Sequence, residues 1–252
     1  MHSAALLDER RLAWPGCTNV RDLGGLAAQN GHGPEAIRPG RIVRSDVLTH
    51  LAEGGWRNLL AHGIRTILDL RSASEIAAHP YDIPLDALEA GLGRLHISML
   101  PLDGEMMRLL EQAATRGDEY ILFVENYQAP IAAVLRAIDS APAGGVLYHC
   151  QAGKDRTGII TALLLALVGV PDEVIIADYA ESGRLLRPGW LQETQEALAN
   201  GQEPPFEPLS EPETMRALLD HWRTRYGGAA GYMEAIGLAD AERRRLAIRL
   251  LS

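Results

Sequence analysis

Apolar residues along the chain fall into short runs that predict strands and longer runs at helical spacing that predict helices. The predicted strands cover 41–45, 64–70, 94–99 and 146–149, and the predicted helices among and after them cover 51–62, 105–114, 119–140 and 156–168. Because strands and helices alternate along the chain, right-handed crossovers and parallel pairing are expected. We therefore predict an α/β fold with a central parallel sheet of about four strands flanked by helices.

The two ends of the chain carry different patterns. Glycine and proline interrupt residues 1–40, which predicts a loop-rich lead-in. Further helices are predicted at 172–184, 213–226, 231–236 and 239–251, which gives a helical C-terminal part. Between them, 185–212 is the most loop-like stretch, and it is interpreted either as a surface insertion or as a lid over the functional site. The whole of 1–252 is predicted to form one domain.

Composition limits the kinds of partner. With 47% apolar residues the chain can bury a large core, and its net charge of -9 argues against binding nucleic acid or an anionic membrane surface. A local basic pocket for an anionic substrate remains compatible with that charge. The longest apolar stretch, 158–170, is shorter than the roughly 20 residues that cross a bilayer, so no integral membrane segment is predicted. No pattern in the sequence indicates an oligomeric state.

Cysteine usage and the first residues indicate the compartment. Cys17 and Cys150 are the only cysteines, which is too few for a disulfide framework and favours a reducing compartment with a functional thiol. Residues 1–12 place four charged side chains before any long apolar run, so no targeting segment is evident. We expect a cytoplasmic protein, with secretion by a route that lacks a cleavable signal left open.

The candidate chemistry lies in residues 149–158, where an apolar strand stops at a cysteine and a strongly apolar helix soon begins. A strand, a short loop and a helix N-terminus together form an anion site. Five residues separate Cys150 from Arg156, a spacing that lets the loop wrap one phosphate with the thiol below it and the guanidinium beside it. The helix N-terminus favours the nucleophilic thiolate. This pattern indicates phosphoryl transfer through a phosphocysteine intermediate.

Main-chain amides and one arginine are expected to hold the phosphate. The predicted phosphate-binding residues are Gln151, Ala152, Gly153, Lys154 and Arg156. Amides along such a loop point at phosphate oxygens, while the planar fork of the arginine binds two oxygens and stabilises the charge of the transition state. The glycine permits a close approach of the backbone.

Other functions for a loop of this kind make different demands on the sequence. A nucleotide-binding P-loop would need glycine at 148 and serine or threonine at 155, where this chain has Tyr148 and Asp155, so that function is excluded. A catalytically idle phosphate-binding module and a sulfurtransferase that forms a persulfide on the cysteine remain alternatives. Phosphate release that depends on Cys150 separates a phosphatase from both.

Residues 149–158, His-Cys-Gln-Ala-Gly-Lys-Asp-Arg-Thr-Gly, resemble the signature of cysteine-based tyrosine phosphatases. The Lys-Asp pair before the arginine is similar to tyrosine phosphatase family 3, a branch with bacterial members. Further motifs typical of that branch are Asn-x-Arg-Asp-Leu-Gly-Gly at 19–25, Arg-Ser-Asp at 44–46, Asp-Leu-Arg-Ser at 69–72 and Tyr-Gly-x-x-x-x-Tyr-Met-x-x-x-Gly at 226–237. The resemblance extends over nearly the whole chain.

The resemblance implies hydrolysis of phosphomonoesters with Cys150 as the nucleophile, Arg156 as the phosphate binder, and no metal or other cofactor. It also implies broad specificity, in which a phosphorylated protein is the substrate at phosphotyrosine, with phosphoserine, phosphothreonine and a phosphoinositide as further candidates. Lys154 offers a second cation at the mouth of the loop for additional phosphates on such a lipid headgroup. The simpler interpretation is that Lys154 pairs with a nearby carboxylate.

The leaving oxygen must receive a proton, and two carboxylic acids are candidates for its donor. Asp155 lies inside the loop and belongs to the branch signature, so we favour it. Asp103 follows the third predicted strand, on a loop where other cysteine phosphatases carry a mobile acid. Two further residues are predicted to support the loop: Thr157 by a hydrogen bond to the cysteine sulfur, and His149 as a buried group that shapes the backbone.

Overall fold

The computed structural model describes residues 9–29, 34–100 and 104–252. Its strands are β1 (Arg21–Asp22), β2 (Ala27–Gln29), β3 (Pro34–Ala36), β4 (Ile42–Ser45), β5 (Ile64–Asp69), β6 (Gly93–His96) and β7 (Gly145–His149). The main sheet has the order β1-β4-β7-β5-β6, in which β4, β7, β5 and β6 are parallel and β1 is antiparallel to β4. The predicted parallel sheet of about four strands is confirmed. The two residues of β1 add an edge strand too short to give a sequence pattern.

The lead-in contains more regular structure than its glycines and prolines predict. Besides β1, it includes β2 and β3, which pair with each other as a separate antiparallel ribbon. Leu26, Ala28 and Ile37 bury their side chains in the main core. Burial of three apolar residues therefore orders a segment that turn-forming residues alone would leave irregular.

Helices cover most of the remaining described chain. They are α1 (Glu53–Ala61), α2 (Ala73–Ala78), α3 (Leu85–Glu89), α4 (Gly104–Glu111), α5 (Arg116–Asn126), α6 (Gln128–Ser140), α7 (Asp155–Leu167), α8 (Asp172–Ala199), α9 (Pro212–Tyr226), α10 (Ala229–Ala235) and α11 (Asp240–Leu251). The helical C-terminal part predicted from the sequence is present as α9 to α11.

Two predicted helix boundaries are wrong. The single helix expected at 119–140 is two helices, α5 and α6, which are bent by 77° at Tyr127. Pro130 lies in the first turn of α6, where the missing amide proton would have no partner inside the helix, so it marks a helix start. The irregular stretch expected at 185–212 is helical up to Ala199, because α8 continues through Pro188.

The sheet brings three strand ends together at one edge. In the register of the sheet, His149 of β7 lies between Ser45 of β4 and Asp69 of β5. The next element, α7, is buried along most of its length and therefore runs through the main core. The segment that links β7 to α7 is fixed at both ends by buried structure, at the edge of the sheet where ligands of open α/β sheets bind.

The helices of the described ranges do not individually resemble membrane spans. No single helix in those ranges is long and apolar enough to cross a bilayer, and only the bent pair α5 and α6 reaches the required length and composition together. Buried core helices give the same signal, and five side chains of α6 are buried in the fold.

Candidate active site

Cys150 lies directly after β7, the central strand of the main sheet. Its side chain is 2% exposed, and α7 begins at Asp155. The thiol therefore sits at the base of a short loop, residues 150–154, that leads into a helix N-terminus. This is the placement predicted from the sequence, and it favours an anion at the centre of the loop.

Four consecutive carbonyl groups of this loop accept hydrogen bonds. The acceptors and donors are Cys150 with His149 Nδ1 (3.0 Å), Gln151 with the Val47 amide (3.0 Å), Ala152 with Asn19 Nδ2 (2.9 Å), and Gly153 with both Asn19 Nδ2 (3.1 Å) and Arg44 Nη2 (2.7 Å). In a trans peptide the carbonyl and the next amide point in opposite directions. The amides of residues 151–154 are therefore turned away from these donors.

These four amides are available to a ligand. Within the described ranges, none of the amides of residues 151–154 donates a hydrogen bond to another residue. Successive free amides in a concave loop bind anions. The predicted phosphate-binding residues Gln151, Ala152, Gly153 and Lys154 are thus brought together through their main chain.

The loop requires glycine at position 153. Gly153 has a φ of 65°, in the left-handed region, and a Cβ there would lie 2.3 Å from the carbonyl oxygen of Ser45. Any side chain would have to push the loop away from the end of β4. The close contact fixes the height of the loop above the sheet.

Arg156 forms a paired hydrogen bond with a carboxylate that the sequence analysis did not identify. Its Nη1 and Nη2 donate to the two Glu75 oxygens at 2.7 and 2.6 Å. Burial alone would lower the pKa of Arg156, but the facing Cys150 and Glu75 outweigh burial and raise that pKa. Glu75 also caps the N-terminus of α2, because its carboxylate accepts a hydrogen bond from the Ser72 amide. The guanidinium is therefore charged and held in one orientation beside the thiol.

Asp155 is held as a carboxylate. Its Oδ1 accepts the Tyr120 hydroxyl at 2.6 Å and Arg116 Nη2 at 3.1 Å, and Lys154 Nζ lies 3.6 Å away. Burial alone would raise the pKa of Asp155, but Lys154 first, then Arg116 and the Tyr120 hydroxyl, lower it. At neutral pH the carboxyl group carries no proton in this arrangement.

Lys154 is engaged on two sides. Its Nζ donates to the carbonyl of Leu209 at 2.9 Å and faces Asp155 at 3.6 Å. The side chain is buried, although it lies at the mouth of the loop. Lys154 therefore faces a nearby carboxylate, as the simpler interpretation predicted, and its contact with Leu209 connects the loop to residues 200–211.

Comparison with known proteins assigns the family. The sequence profile of the tyrosine phosphatase family matches residues 12–252. The chain belongs to the tyrosine phosphatase family. It is therefore an enzyme of the protein tyrosine phosphatase type, as the motifs predicted.

Individual relatives agree with that assignment. A tyrosine-protein phosphatase of Nostoc commune is 32% identical over 230 residues, which are 85% of this phosphatase and 76% of that protein. The triple specificity protein phosphatase PtpB of Mycobacterium tuberculosis is 35% identical over 195 residues, 67% of each chain. A crystal structure of P. aeruginosa TpbA with phosphotyrosine, a cysteine-to-serine variant, has a TM-score of 0.40 at 14% identity, over 79% of this chain and 87% of that chain. That last likeness is too weak to add to the assignment.

His149 supports the loop of the phosphatase as a neutral side chain. Its Nδ1–H donates to the Cys150 carbonyl, so Nε2 accepts from the Tyr81 hydroxyl at 2.8 Å. The ring is fully buried, and burial lowers the pKa of His149 to about 4, against a smaller opposing effect of Asp69. This geometry agrees with the predicted shaping role, because at neutral pH the ring carries a single proton, and that proton is bonded to the Cys150 carbonyl.

Acid is expected to destabilise the fold through His149. The ring has a pKa near 6.5 when unfolded and about 4 when folded, so the unfolded chain binds more protons between these values. The stability present above pH 6.5 should fall by on the order of 3 kcal/mol as the pH drops to 4. Urea unfolding measured at several pH values in this interval should show that the free energy of unfolding changes less steeply with pH in His149→Asn than in the parent. Replacing the exposed His50 by Asn should leave the pH dependence of the parent unchanged. The same pH dependence of the free energy of unfolding in the parent, His149→Asn and His50→Asn would refute this origin of the acid sensitivity.

The remaining predicted site residues have different outcomes. Thr157 Oγ1 is buried and has no hydrogen-bond partner in the described ranges, so the predicted bond to the Cys150 sulfur is not made in this arrangement and its catalytic role stays a prediction. Asp103 lies outside the described residues. Within the described ranges, no three His, Cys, Asp or Glu side chains are placed to bind one metal ion.

The structure also adds residues that sequence reasoning missed. Glu75 holds Arg156, Tyr120 and Arg116 hold Asp155, and Asn19 holds the loop carbonyls. Each lies on a segment distant in sequence from 149–158. The one local signal was Ser72-x-x-Glu75, which predicts a helix cap but not a second bond to an arginine.

Proposed function

We propose that this chain hydrolyses phosphotyrosine in proteins through a phosphocysteine intermediate on Cys150. One observation carries the proposal: four consecutive free amides, residues 151–154, surround a buried thiol at a helix N-terminus, with a charged arginine fixed beside it. That set of groups matches the three equatorial oxygens and the in-line attack of a phosphoryl transfer. Family membership supports the same reaction.

The reaction divides into two displacements. Cys150 Sγ attacks phosphorus, the bond from phosphorus to the tyrosine oxygen breaks, and the leaving phenolate takes a proton from a carboxylic acid. Water then attacks the phosphocysteine and gives one proton to the carboxylate, the phosphorus–sulfur bond breaks, and inorganic phosphate leaves with the thiolate and the carboxylic acid restored. Neither step needs a metal or another cofactor.

Arg156 can bind the phosphate without leaving Glu75. Each Nη atom carries two protons, and Glu75 accepts one from each. Nη1 also donates to the Leu70 carbonyl at 3.4 Å, so the free edge of the guanidinium, formed by Nε–H and the second proton of Nη2, remains for the substrate. Glu75 thus serves as the positioning group for Arg156 in this proposal, because it fixes the plane of the guanidinium before substrate arrives.

Asp155 remains our candidate for the general acid, and the charges around it explain how it would acquire a proton. Lys154 and Arg116 stabilise the carboxylate form of Asp155. A bound phosphate dianion adds two negative charges at the mouth of the loop, which offsets these cations and raises the proton affinity of the carboxylate. A weakly protonated acid suits a phenol leaving group, whose pKa is about 10, better than a serine alkoxide, which is far more basic.

Asp155→Asn is expected to lower kcat more for poor leaving groups than for good ones. The loss should be about 100-fold for phosphotyrosine, and less than about tenfold for p-nitrophenyl phosphate, whose leaving group needs little protonation. Steady-state kinetics on both substrates measures the difference, with Glu119→Gln as the control for removing a carboxylate that also pairs with Arg116. If Asp103→Asn gives the leaving-group dependence and Asp155→Asn does not, the assignment to Asp155 is wrong.

Phosphoserine, phosphothreonine and phosphoinositides are proposed as secondary substrates. Beside the loop, a hollow of about 550 Å³ is lined by residues that include Arg116, Lys154 and the fully exposed Phe206. Asp155, Glu207 and Glu211 line the same hollow, so a second anionic group of a substrate would have to bind close to Arg116 and Lys154, while its apolar part contacts the Phe206 ring. To bind Lys154, such a substrate would have to replace the contact between Lys154 and the Leu209 carbonyl.

The prediction that 185–212 forms a lid now applies only to the part of this segment after α8, and it stays a prediction.

A substrate panel tests the proposed specificity. Phosphate release would be measured from phosphotyrosine, phosphoserine and phosphothreonine versions of one peptide, and from inositides with one or several phosphates. The highest kcat/KM among the peptides is expected for phosphotyrosine. Phosphate release from the serine or inositide substrates with none from phosphotyrosine would contradict the proposed function.

A further inference from the structure

A buried cluster of charged and polar side chains lies behind the phosphate loop, on the side away from the free amides. Asp178 of α8 is its centre and accepts from Arg10 Nη2 at 2.7 Å, Arg21 Nε at 3.3 Å and Arg44 Nη1 at 2.6 Å. These side chains are almost completely buried. The free-energy cost of desolvating buried ions can exceed the attraction between them, so a gain in stability does not by itself explain such a cluster. Its bonds to the loop suggest what the cluster does.

Two members of the cluster end on the loop itself. Asn19 Nδ2 uses both protons on the carbonyls of Ala152 and Gly153, and Arg44 Nη2 donates to the Gly153 carbonyl at 2.7 Å. These bonds fix the two peptide planes whose amides belong to Gly153 and Lys154. Without these donors the carbonyls could rotate toward the phosphate, where their partial negative charge would repel it.

The orientation of Asn19 is itself fixed from three directions. Its side-chain oxygen accepts from Arg21 Nη1, which leaves the amide nitrogen to face the loop. Its main-chain amide donates to Asp46 Oδ1 at 3.1 Å, and the neighbouring Thr18 amide donates to Asp46 Oδ2 at 2.9 Å. A side chain held this firmly presents its two protons at fixed positions.

Arg44 is held in the same way from α8. Its Nη1 binds Asp178 Oδ2, and its Nη2 reaches the Ser182 hydroxyl at 3.2 Å as well as the Gly153 carbonyl. Arg21 binds the same Ser182 hydroxyl at 3.0 Å. One turn of α8 therefore aligns both arginines, and through them the loop.

The cluster also places positive charge behind the loop. Within the described residues three guanidinium groups share the single carboxylate of Asp178. Burial first, and then the charge of Arg44, lower the pKa of Arg21 to about 10, so Arg21 is still charged at neutral pH. Their field favours an anion on the other face of the loop.

We propose that Asn19 and Arg44 are positioning residues of the phosphatase, which turn the Ala152 and Gly153 carbonyls away from the substrate and so keep the loop amides aimed at the phosphate, with Asp178 and Ser182 aligning them. Asn19 and Arg44 lie in the motifs at 19–25 and 44–46, to which the sequence analysis assigned no chemistry. The inference rests on the proposed function, since it explains how that site is kept ready.

Asn19→Asp is the most selective test. The carboxylate keeps the shape of the side chain and its bond to Arg21, but it turns an oxygen instead of an amine toward the two loop carbonyls. A role limited to holding Arg21 would therefore survive the change, whereas the role on the loop would not. We expect kcat/KM for p-nitrophenyl phosphate to fall by at least about tenfold, and the inhibition constant for inorganic phosphate to rise by a similar factor.

Arg44→Lys provides a second, independent arm. Lysine keeps the charge but cannot hold Asp178 and the Gly153 carbonyl with the geometry of a planar fork. The same weakening of phosphate inhibition is expected. Should Asn19→Asp fail to fold, Asn19→Ser serves instead, because its hydroxyl is too short to reach both carbonyls.

Tyr232→Phe is the matched control for losing a buried hydrogen bond. It removes the bond of 2.6 Å to the Val124 carbonyl in the helical part and is expected to lower the melting temperature without changing phosphate inhibition. Folded variants at positions 19 and 44 whose kcat/KM and phosphate inhibition stay within about twofold of the parent would overturn the positioning role. A parent that releases no phosphate would instead refute the proposed function, so the two failures are distinguishable.

Discussion

Cys150→Ser is expected to lower phosphate release from p-nitrophenyl phosphate by at least about 1000-fold. The serine hydroxyl has nearly the size of the thiol but is not ionised at neutral pH, so the group at the base of the loop no longer attacks phosphorus. The four free amides and Arg156 do not depend on the sulfur, because their orientations are set by neighbours such as Asn19 and Glu75. The variant should therefore still bind phosphate.

Two measurements separate the loss of the nucleophile from the loss of the fold. Inorganic phosphate should raise the melting temperature of Cys150→Ser as it does that of the parent, since binding to the folded state stabilises it. Cys17→Ser is the matched control, because its half-buried thiol contacts the Val47 carbonyl rather than the loop amides. Parent-like activity in Cys150→Ser, or its loss in a folded Cys17→Ser, would contradict the assignment of the nucleophile.

Arg156→Lys is the change with the second largest expected effect. Lysine keeps one positive charge but loses the fork that binds Glu75 with one edge and two phosphate oxygens with its remaining protons. We expect kcat/KM for p-nitrophenyl phosphate to fall by about 100- to 1000-fold, as when a preorganised donor to transition-state charge is removed. Most of the loss should appear in kcat, because charge develops on the equatorial oxygens during transfer.

The control for Arg156→Lys is an arginine that contacts none of the site residues. Arg245 forms a comparable paired contact with Asp139 at the surface, and Arg245→Lys should leave the kinetics unchanged. Glu75→Gln should act in the same direction as Arg156→Lys but more weakly, since it loosens the guanidinium without removing it. A kcat/KM of Arg156→Lys within tenfold of the parent value would mean that the loop amides alone stabilise the transition state.

The part of the site that could be predicted from the sequence is the part made by neighbouring residues. Cys150, the loop amides and Arg156 lie within one strand, loop and helix, so their relative placement follows from local structure. The apolar runs at 64–70 and 146–149 likewise predict β5 and β7, because buried parallel strands are apolar on both faces.

The remainder depends on contacts between distant segments. Asp178 contacts Arg10 across 168 positions of the sequence, and Glu75 contacts Arg156 across 81, so no local pattern links them.

The end of α8 was missed for a related reason. Proline removes one hydrogen bond from α8 at Pro188, but packing of buried residues such as Tyr179 and Leu185 keeps the helix in place on one side of it. On the other side, Trp190 donates to the Pro205 carbonyl at 2.9 Å.

The central claim is that phosphate passes from the substrate to Cys150. The most direct measurement is to mix the parent enzyme with p-nitrophenyl phosphate, quench with acid within the first turnovers, and locate covalent phosphate on peptides by mass spectrometry. The account predicts phosphate on Cys150 in the parent and none at this position in Cys150→Ser. Rapid phosphate release from the parent with phosphate trapped on another residue would contradict it.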